Sequence, residues 1–145
     1  DDGSYSSNGT EALIAINNLD YEAAGTIEEW ERDAELLKRE LPVFGTWAGY
    51  ASAGLDSWPT SHAQRQEIHA KGSQPIVVVG TTHDPATPYV MAQRLASQLD
   101  AGVLVTYDGW GHTAYSKDAG SCVVGAVEGY LLDGTVPQNG LTCSK

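Results

Sequence analysis

The 145-residue sequence has few cationic residues, few cysteines and no long apolar segment. Eight lysines and arginines stand against 19 acidic residues, and the resulting net charge of −11 argues against nucleic acid or an anionic membrane as a partner. No run approaches the roughly 18 consecutive apolar residues that a membrane-spanning helix needs. The polar first nine residues show no signal peptide, which says nothing about export if the protein continues upstream. Because 41% of the residues are hydrophobic, most of the chain is expected to fold.

Cys122 and Cys143 are the two cysteines of the sequence, and two cysteines alone do not prove a disulfide. Cys122 falls at the start of a predicted helix, and Cys143 lies in a tail with glycines and a proline that has little else to anchor it. A bridge over a loop of this length would contribute about 3 kcal/mol in the chain-entropy model. We therefore predict a Cys122–Cys143 disulfide, which would imply an oxidising compartment.

The first half of the chain contains one strong helix signal. Residues 26–29 read Thr-Ile-Glu-Glu, a capping box that opens a helix, and Pro42 ends it. Its predicted apolar stripe is formed by Ile27, Trp30, Ala34, Leu37 and Leu41. Upstream, the apolar run at 12–16 predicts a strand or a buried turn, and 17–20 reads as a turn. Downstream, we predict a short helix around 45–52 and then a loop to Trp58.

Aromatic and histidine side chains between the two halves leave several functions open. The aromatic residues either line a substrate cleft or fill the gap between two subdomains; they are Phe44, Trp47, Tyr50 and Trp58. His62 and His69 are seven residues apart and would share a face on a helix. Because a metal ion needs three or four ligands and no third is placed to join them, we interpret both as surface histidines and predict no metal site.

From residue 75 onwards the pattern alternates strand and helix. Continuously apolar runs predict buried strands at 75–80 and 103–107. Between them, Thr87 as N-cap and Pro88 at the first position predict a helix over 88–99, with Met91, Leu95 and Leu99 on its apolar face and Gly102 after its end. This is a parallel βαβ unit. A last helix is predicted at about 120–132, with Val123, Val127, Tyr130 and Leu131 on one face.

Asp84 follows the first of these strands and His112 follows the second. This order is typical of the end of an α/β-hydrolase, where an acid and then a base follow neighbouring strands. The acid would orient the imidazole, which would take a proton from a serine. That serine would lie on a G-x-S-x-G turn, which the sequence does not contain. We therefore expect the chain to be the C-terminal portion of a longer protein.

Alternative interpretations exist for each candidate. An Asp-Pro pair after a strand is ordinary turn chemistry, and a Gly-His pair can be a loop tip. Asp108 is the competing acid, although it precedes the Gly-Trp-Gly turn on the strand that carries the base. His83 is the competing base. Because neighbouring residues of an extended segment point apart, we interpret His83 as a residue at the mouth of the site.

Residues 79–89 and 106–115, together with the tail from Ser121 to Cys143, resemble the C-terminal module of tripeptidyl-aminopeptidase-like serine hydrolases. The similarity is dense over residues 75–143 and weaker upstream, where Asn18 stands in place of a cysteine of the family. The resemblance implies an exported bacterial α/β-hydrolase that cleaves short peptides from free N-termini or acts as an esterase. It assigns the acid to Asp84 and the base to His112 and implies no cofactor; His83 and Trp110 are expected to contact the substrate.

The predicted fold is α/β, the C-terminal part of an α/β-hydrolase preceded by a helical cap or lid segment. We expect the end of the cap at 1–60, a connector at 61–74 and the core portion at 75–145. The expected partners are a peptide or ester substrate and the N-terminal half of the same protein. The rival hypothesis is a non-catalytic module that binds a peptide or a partner protein. Because two strands rarely form a stable sheet, the free edge of strand 75–80 should be covered by self-association or by segment 12–16 as a strand.

Overall fold

A computed structural model describes residues 7–21, 25–51, 53, 63–64, 66–116 and 118–144 of the chain. Trp58 and His62, both named in the predictions above, lie outside these residues. The chain divides into two compact units, residues 1–66 and residues 67–145. The first unit contains the helices α1 (Gly9–Asp20), α2 (Ile27–Glu40) and α3 (Gly45–Ala48). The second contains a small parallel sheet and two helices.

Helix α1 corrects the prediction of a strand or buried turn at 12–16 and of a turn at 17–20. The helix runs through both segments, from Gly9 to Asp20. Asn18, which suggested a turn, is fully buried, and its side-chain amide donates a hydrogen bond of 2.7 Å to the carbonyl of Ile14 one helical turn earlier. A polar side chain that bonds back to its own helix is compatible with the helix interior. A five-residue apolar run cannot separate the two structures by period alone.

Helix α2 begins as predicted. The Thr26 hydroxyl accepts the N–H of Glu29 at 3.3 Å, and the Glu29 carboxylate accepts the N–H of Thr26 at 2.9 Å, which completes the capping box. Of the predicted stripe only Ala34 is fully buried, whereas Ile27 and Leu41 at its two ends are exposed. Helix α3 is shorter than predicted. The residue after it, Gly49, lies so close to Ala34 of α2 that a Cβ atom on Gly49 would overlap it.

The second unit is a βαβ unit extended by a third strand. It consists of β1 (Ile76–His83), α4 (Tyr89–Gln98), β2 (Gly102–Trp110), α5 (Ser121–Asp133) and β3 (Leu141–Ser144). The sheet order is β1-β2-β3 and both pairings are parallel. Strands β1 and β2 continue for three residues beyond the predicted apolar runs. These added residues are mostly polar and lie at the carboxyl end, where the candidate site is found.

Strand β3 was not predicted. Its four residues form too short a run to stand out from the surrounding turn residues. Two hydrogen bonds to the backbone of Leu104 fix the residues that precede β3. The Asn139 side-chain oxygen accepts the Leu104 N–H at 2.9 Å, and the Gly140 N–H donates to the Leu104 carbonyl at 2.8 Å. A disulfide joins Cys143 of β3 to Cys122 of α5, as predicted.

The two faces of the sheet carry separate apolar clusters. On the α5 side, buried Val105, Tyr107, Ala114, Ala119, Val123 and Cys143 pack together. On the α4 side the cluster contains Val78, Ala96 and Leu99. The predicted apolar face of α4 is wrong in part, because Met91 and Leu95 are exposed while Ala92 and Ala96 pack on the sheet. Gly80 allows this close approach, since a Cβ atom there would stand 2.7 Å from the Cβ of Ala92.

Helix α5 differs from its prediction at one position of the apolar face. Val123 is fully buried, whereas Leu131 is exposed. The Tyr130 hydroxyl donates a 2.6 Å hydrogen bond to the carbonyl of Pro75, just before β1. Gly134 ends the helix in the left-handed conformation that favours glycine.

Strand β1 pairs with β2 along one edge, and in the described part of the chain no strand pairs with its other edge. The prediction that segment 12–16 covers this edge as a strand is wrong, because those residues belong to α1. Self-association through the edge stays a prediction. No helix in the described ranges is both long and apolar enough to cross a membrane.

Candidate active site

Asp84 and His112 meet at the carboxyl edge of the parallel sheet. Asp84 directly follows β1, and His112 follows β2 after one glycine. The two carboxylate oxygens of Asp84 lie 3.1 and 3.0 Å from Nδ1 of His112. The order of the strands therefore brings together the two side chains that the sequence paired.

The carboxylate of Asp84 is held mainly by its own loop. Its Oδ1 accepts the N–H groups of Ala86 at 2.8 Å and of Thr87 at 2.9 Å, and its Oδ2 accepts the Thr87 hydroxyl at 2.9 Å. Only 4% of the side chain is exposed. The Thr87 N–H contributes most to lowering the pKa of Asp84 far below its usual value; the bonds from His112, Ala86 and the Thr87 hydroxyl add to this, and desolvation opposes it. Asp84 is therefore ionised at neutral pH and can only accept hydrogen bonds.

The ionised partner fixes the tautomer of His112. Because Asp84 only accepts, Nδ1 of the neutral ring must carry the proton, which leaves the lone pair of Nε2 free. The His112 side chain is half exposed. An imidazole oriented in this way can take a proton at Nε2 and return it, which is the role of the base in a triad.

The backbone around His112 is held in unusual conformations. Gly111 has φ of +117° and Thr113 has φ of +68°. Positive φ is rare for a β-branched residue and marks local strain of about 1–3 kcal/mol. The N–H of Thr113 lies 3.5 Å from Oδ2 of Asp84. The strained turn thus directs both the imidazole and the following N–H towards the carboxylate.

Thr87 contributes to the site and not to the cap of helix α4. We predicted Thr87 as the N-cap of the helix, but the N-cap is Pro88, α4 begins at Tyr89, and no side chain caps it. The Thr87 hydroxyl instead donates to Asp84 and lies 3.5 Å from Nδ1 of His112. The spacing Asp-x-x-Thr is a usable signal, because an aspartate after a strand often accepts N–H groups of the turn that follows it.

Asp108, the alternative acid, faces a different partner. Its Oδ1 accepts the hydroxyl of Thr82 at 2.9 Å, and it is exposed within β2. Gly109 and Trp110 also belong to β2 rather than to the predicted turn.

His83 and Trp110 form a stacked pair at the ends of β1 and β2. They are register partners, with ring centroids 4.1 Å apart and planes inclined by 13°. Trp110 is 82% exposed. In the chain, His83 directly precedes Asp84 and Trp110 lies two residues before His112.

A cleft of about 270 Å³ lies beside Asp84 and Thr87. Its lining also includes Thr81, Thr113 and Tyr115. The Thr81 hydroxyl is buried and has no hydrogen-bond partner among the described residues. The hydroxyl of Tyr115 donates to Glu128 at 3.2 Å, and this hydrogen bond raises the pKa of Tyr115.

His69 lies in the second unit beside the end of α4. Its Nδ1 is 2.9 Å from the carbonyl of Gln98, and its Nε2 is 3.4 Å from the Glu67 carboxylate. Within the described ranges, no group of three or more His, Cys, Asp and Glu side chains is arranged to hold a metal ion. His69 thus anchors the segment before β1 to the end of α4.

Comparisons with known proteins identify a family and relatives of this chain. The sequence profile of the TAP-like protein family matches residues 41–143. The chain is 38% identical over 146 residues to serine protease Hip1 and 37% identical over 147 residues to carboxylesterase B, both of Mycobacterium tuberculosis. These alignments cover 97% and 99% of the chain but 27% and 28% of the relatives. The tripeptidyl aminopeptidase of Streptomyces lividans is 27% identical over 139 residues, which is 94% of the chain and 26% of that protein.

Proposed function

The chain belongs to the TAP-like family of α/β-hydrolases, and from this premise we propose that it supplies the acid and the base of a Ser-His-Asp triad in a serine hydrolase. The observation that carries the proposal is the hydrogen-bonded pair of Asp84 and His112 at the carboxyl edge of a parallel sheet. Ligands of open α/β sheets bind at this edge.

In the proposed reaction, Nε2 of His112 takes the proton of a serine hydroxyl as the serine attacks a carbonyl carbon. Asp84 keeps the proton of the imidazole on Nδ1 and stabilises the imidazolium that forms. His112 then gives the proton to the leaving group, and a water molecule, activated by the same imidazole, releases the acyl group from the serine. These steps need neither a metal ion nor an organic cofactor.

We place the serine in a part of the parent polypeptide outside this sequence. The sequence contains no G-x-S-x-G turn, and the chain spans about 28% of the length of the mycobacterial carboxylesterase. Residues 75–145 would then complete the hydrolase core, and residues 1–60 would be the end of its cap. The N-terminal part of the parent would be the main partner of this chain, and the isolated chain should be inactive.

We propose a peptide or an ester as the substrate. The relatives are named as a serine protease, a tripeptidyl aminopeptidase and a carboxylesterase, and all three names describe acyl transfer to water. The stacked rings of His83 and Trp110 offer an exposed aromatic surface at the ends of β1 and β2, and we propose that a substrate group packs on it.

An extracytoplasmic location is consistent with the disulfide. The Cys122–Cys143 bridge joins α5 to β3, and such bridges persist in oxidising compartments. We therefore propose that the parent protein is secreted or resides in the cell envelope.

The proposal is tested by hydrolysis of a tripeptide p-nitroanilide and of a p-nitrophenyl ester. The parent protein should turn over at least one of them, His112→Ala should abolish turnover, and His69→Ala should retain it as a matched histidine control. Turnover that survives His112→Ala contradicts the assignment of the base. Hydrolysis by the isolated chain that depends on His112 contradicts the placement of the serine elsewhere. A folded parent that binds peptide but hydrolyses neither compound supports the non-catalytic module.

A further inference from the structure

The ends of β1 and β2 contain an irregular step between the apolar strands and the Asp84–His112 pair. Thr81 pairs with Tyr107, and the next pair is His83 with Trp110. Between these pairs, Thr82 alone on β1 faces two residues on β2, Asp108 and Gly109. This is a β-bulge, which is rare in parallel pairs and often lies next to an active site.

The side chain of Thr82 forms hydrogen bonds to both residues of this bulge. The Thr82 hydroxyl donates to Oδ1 of Asp108 at 2.9 Å and accepts the N–H of Gly109 at 3.1 Å. The Gly109 carbonyl is also near, at 3.3 Å, but the hydroxyl has one proton and the shorter contact is to Asp108. Both residues of the bulge are therefore bonded to the single residue opposite them. Gly109 has to be glycine here, because a Cβ atom would overlap the ring of Tyr107.

The extra residue changes what stands opposite the acid. With the bulge, the pairing continues from His83 and Trp110 to a contact between the Gly111 N–H and the His83 carbonyl at 3.4 Å. Counting one residue for one from Thr81 and Tyr107 without a bulge would place Trp110 opposite Asp84. Because a shift of one residue turns side chains to the other face, the base would lose its alignment with the acid.

We propose that Thr82 is a positioning residue for the base: through Asp108 and Gly109 it holds the bulge that aligns Nδ1 of His112 with the Asp84 carboxylate. This inference rests on the proposed function only in naming His112 the base. The alignment itself is a property of the chain that can be measured without any activity.

The first test measures the ring nitrogens of His112 by 15N NMR in the whole 145-residue chain, at a pH where the ring is neutral. The wild-type chain should show mainly the tautomer with the proton on Nδ1. Thr82→Val has nearly the same shape but lacks the hydroxyl, and it should lose most of this tautomer. Thr82→Ser should restore it, and Thr142→Val, which removes an exposed hydroxyl from β3, should leave it unchanged. Asp108→Ala should act in the same direction as Thr82→Val.

The second test uses the parent protein. Misalignment of a base should lower kcat by roughly 10- to 100-fold with little change in KM. Thr82→Ser should recover most of the rate. An unchanged tautomer in folded Thr82→Val and Asp108→Ala overturns the inference while leaving the proposed function intact. A wild-type chain with the proton on Nε2 would contradict the Asp84–His112 bond and with it the proposed function.

Discussion

The loop that carries Asp84 and the turn that carries His112 hold their side chains in different ways. Asp84 accepts three hydrogen bonds from Ala86 and Thr87 within its own loop, and its side chain is nearly buried. His112 is half exposed, and its contacts lie on the loop of the acid. The Asp84 carboxylate is thus held by local contacts, whereas the position of His112 follows from the course of β2.

Because of this difference, substitutions should affect the positions of Asp84 and His112 in different ways. A carboxylate with several local donors stays in place when a single donor is removed, because the others remain. On both sides of His112 the backbone departs from regular strand geometry, at the bulge at Asp108 and at the positive φ angles of Gly111 and Thr113. We therefore expect the loss of a single donor to displace the Asp84 carboxylate only slightly, and a change in the course of β2 to displace the His112 ring.

The largest expected effect comes from removing the charge of the acid. Asp84→Asn leaves the shape intact but can donate to Nδ1 of His112, which favours the wrong tautomer. In the parent protein we expect kcat to fall by about 10⁴-fold, as for this change in other Ser-His-Asp triads. Steady-state kinetics with the same tripeptide and ester substrates measures the effect. A loss of less than tenfold would favour Asp108 or another group as the acid.

The lowered pKa of Asp84 predicts that the stability of the chain depends on pH. The folded pKa of Asp84 lies far below the value of an unfolded carboxyl, about 3.9, so its ionised form stabilises the fold above that pH. This contribution is lost as the pH falls from about 4 towards the folded pKa. Urea unfolding of the chain should show wild type more stable than Asp84→Asn at pH 7, with a smaller difference at pH 3. An equal difference at both pH values would contradict the lowered pKa.

The regular parts of the second unit could be predicted from the sequence. The apolar runs before Asp84 and His112 identified two buried parallel strands, and their order placed both residues at the same edge. The capping box at Thr26 similarly fixed the start of α2. Each of these signals acts within a few residues, where pattern and geometry are closely linked.

Two of the parts that were missed, strand β3 and the apolar face of α4, depend on contacts distant in sequence. Strand β3 exists because its four residues pair with β2, and so short a run does not reveal this pairing, although the disulfide that joins β3 to α5 was predicted. The face of α4 is set by Gly80 and Gly102, which admit Ala92 and Ala96 to the sheet while larger side chains face outward. Thr87 was predicted as an N-cap because threonine is common at helix starts. Its hydroxyl instead donates to Asp84, three residues earlier.

Removing the disulfide should lower the stability of the fold but leave Asp84 and His112 in place. Cys122→Ala combined with Cys143→Ala opens a link between residues 21 apart and should lower the free energy of unfolding by about 3 kcal/mol. Thermal and denaturant unfolding of the chain measures the loss, with the reduced wild type as a matched control. The Nδ1 tautomer of His112 should be unchanged below the melting temperature. A changed tautomer would mean that the position of the His112 ring depends on β3.

Thr87→Val tests whether the acid tolerates the loss of one donor. The variant lacks the hydroxyl that donates to Oδ2, but the N–H groups of Ala86 and Thr87 still bind Oδ1. We expect kcat to fall by roughly 10-fold, because one hydrogen bond to a charged group is worth about 1.5 kcal/mol. Thr87→Ser should recover most of the rate. A loss as large as that of Asp84→Asn would show that the hydroxyl of Thr87 is itself essential for the alignment of His112.

The smallest expected effect comes from relieving the strain after the base. Thr113 has a φ of +68°, which disfavours a β-branched side chain, whereas asparagine accepts this conformation more readily. Thr113→Asn should therefore raise the free energy of unfolding by less than the roughly 1–2 kcal/mol that an L residue loses in this conformation. Its N–H remains available to Asp84, so the tautomer of His112 should persist. Thr135→Asn, at an exposed position whose φ is not positive, is the matched control and should bring no gain. If Thr113→Asn destabilises the chain, the threonine side chain contributes more to this turn than its backbone strain removes, and the base would then be held by side-chain contacts much as the acid is.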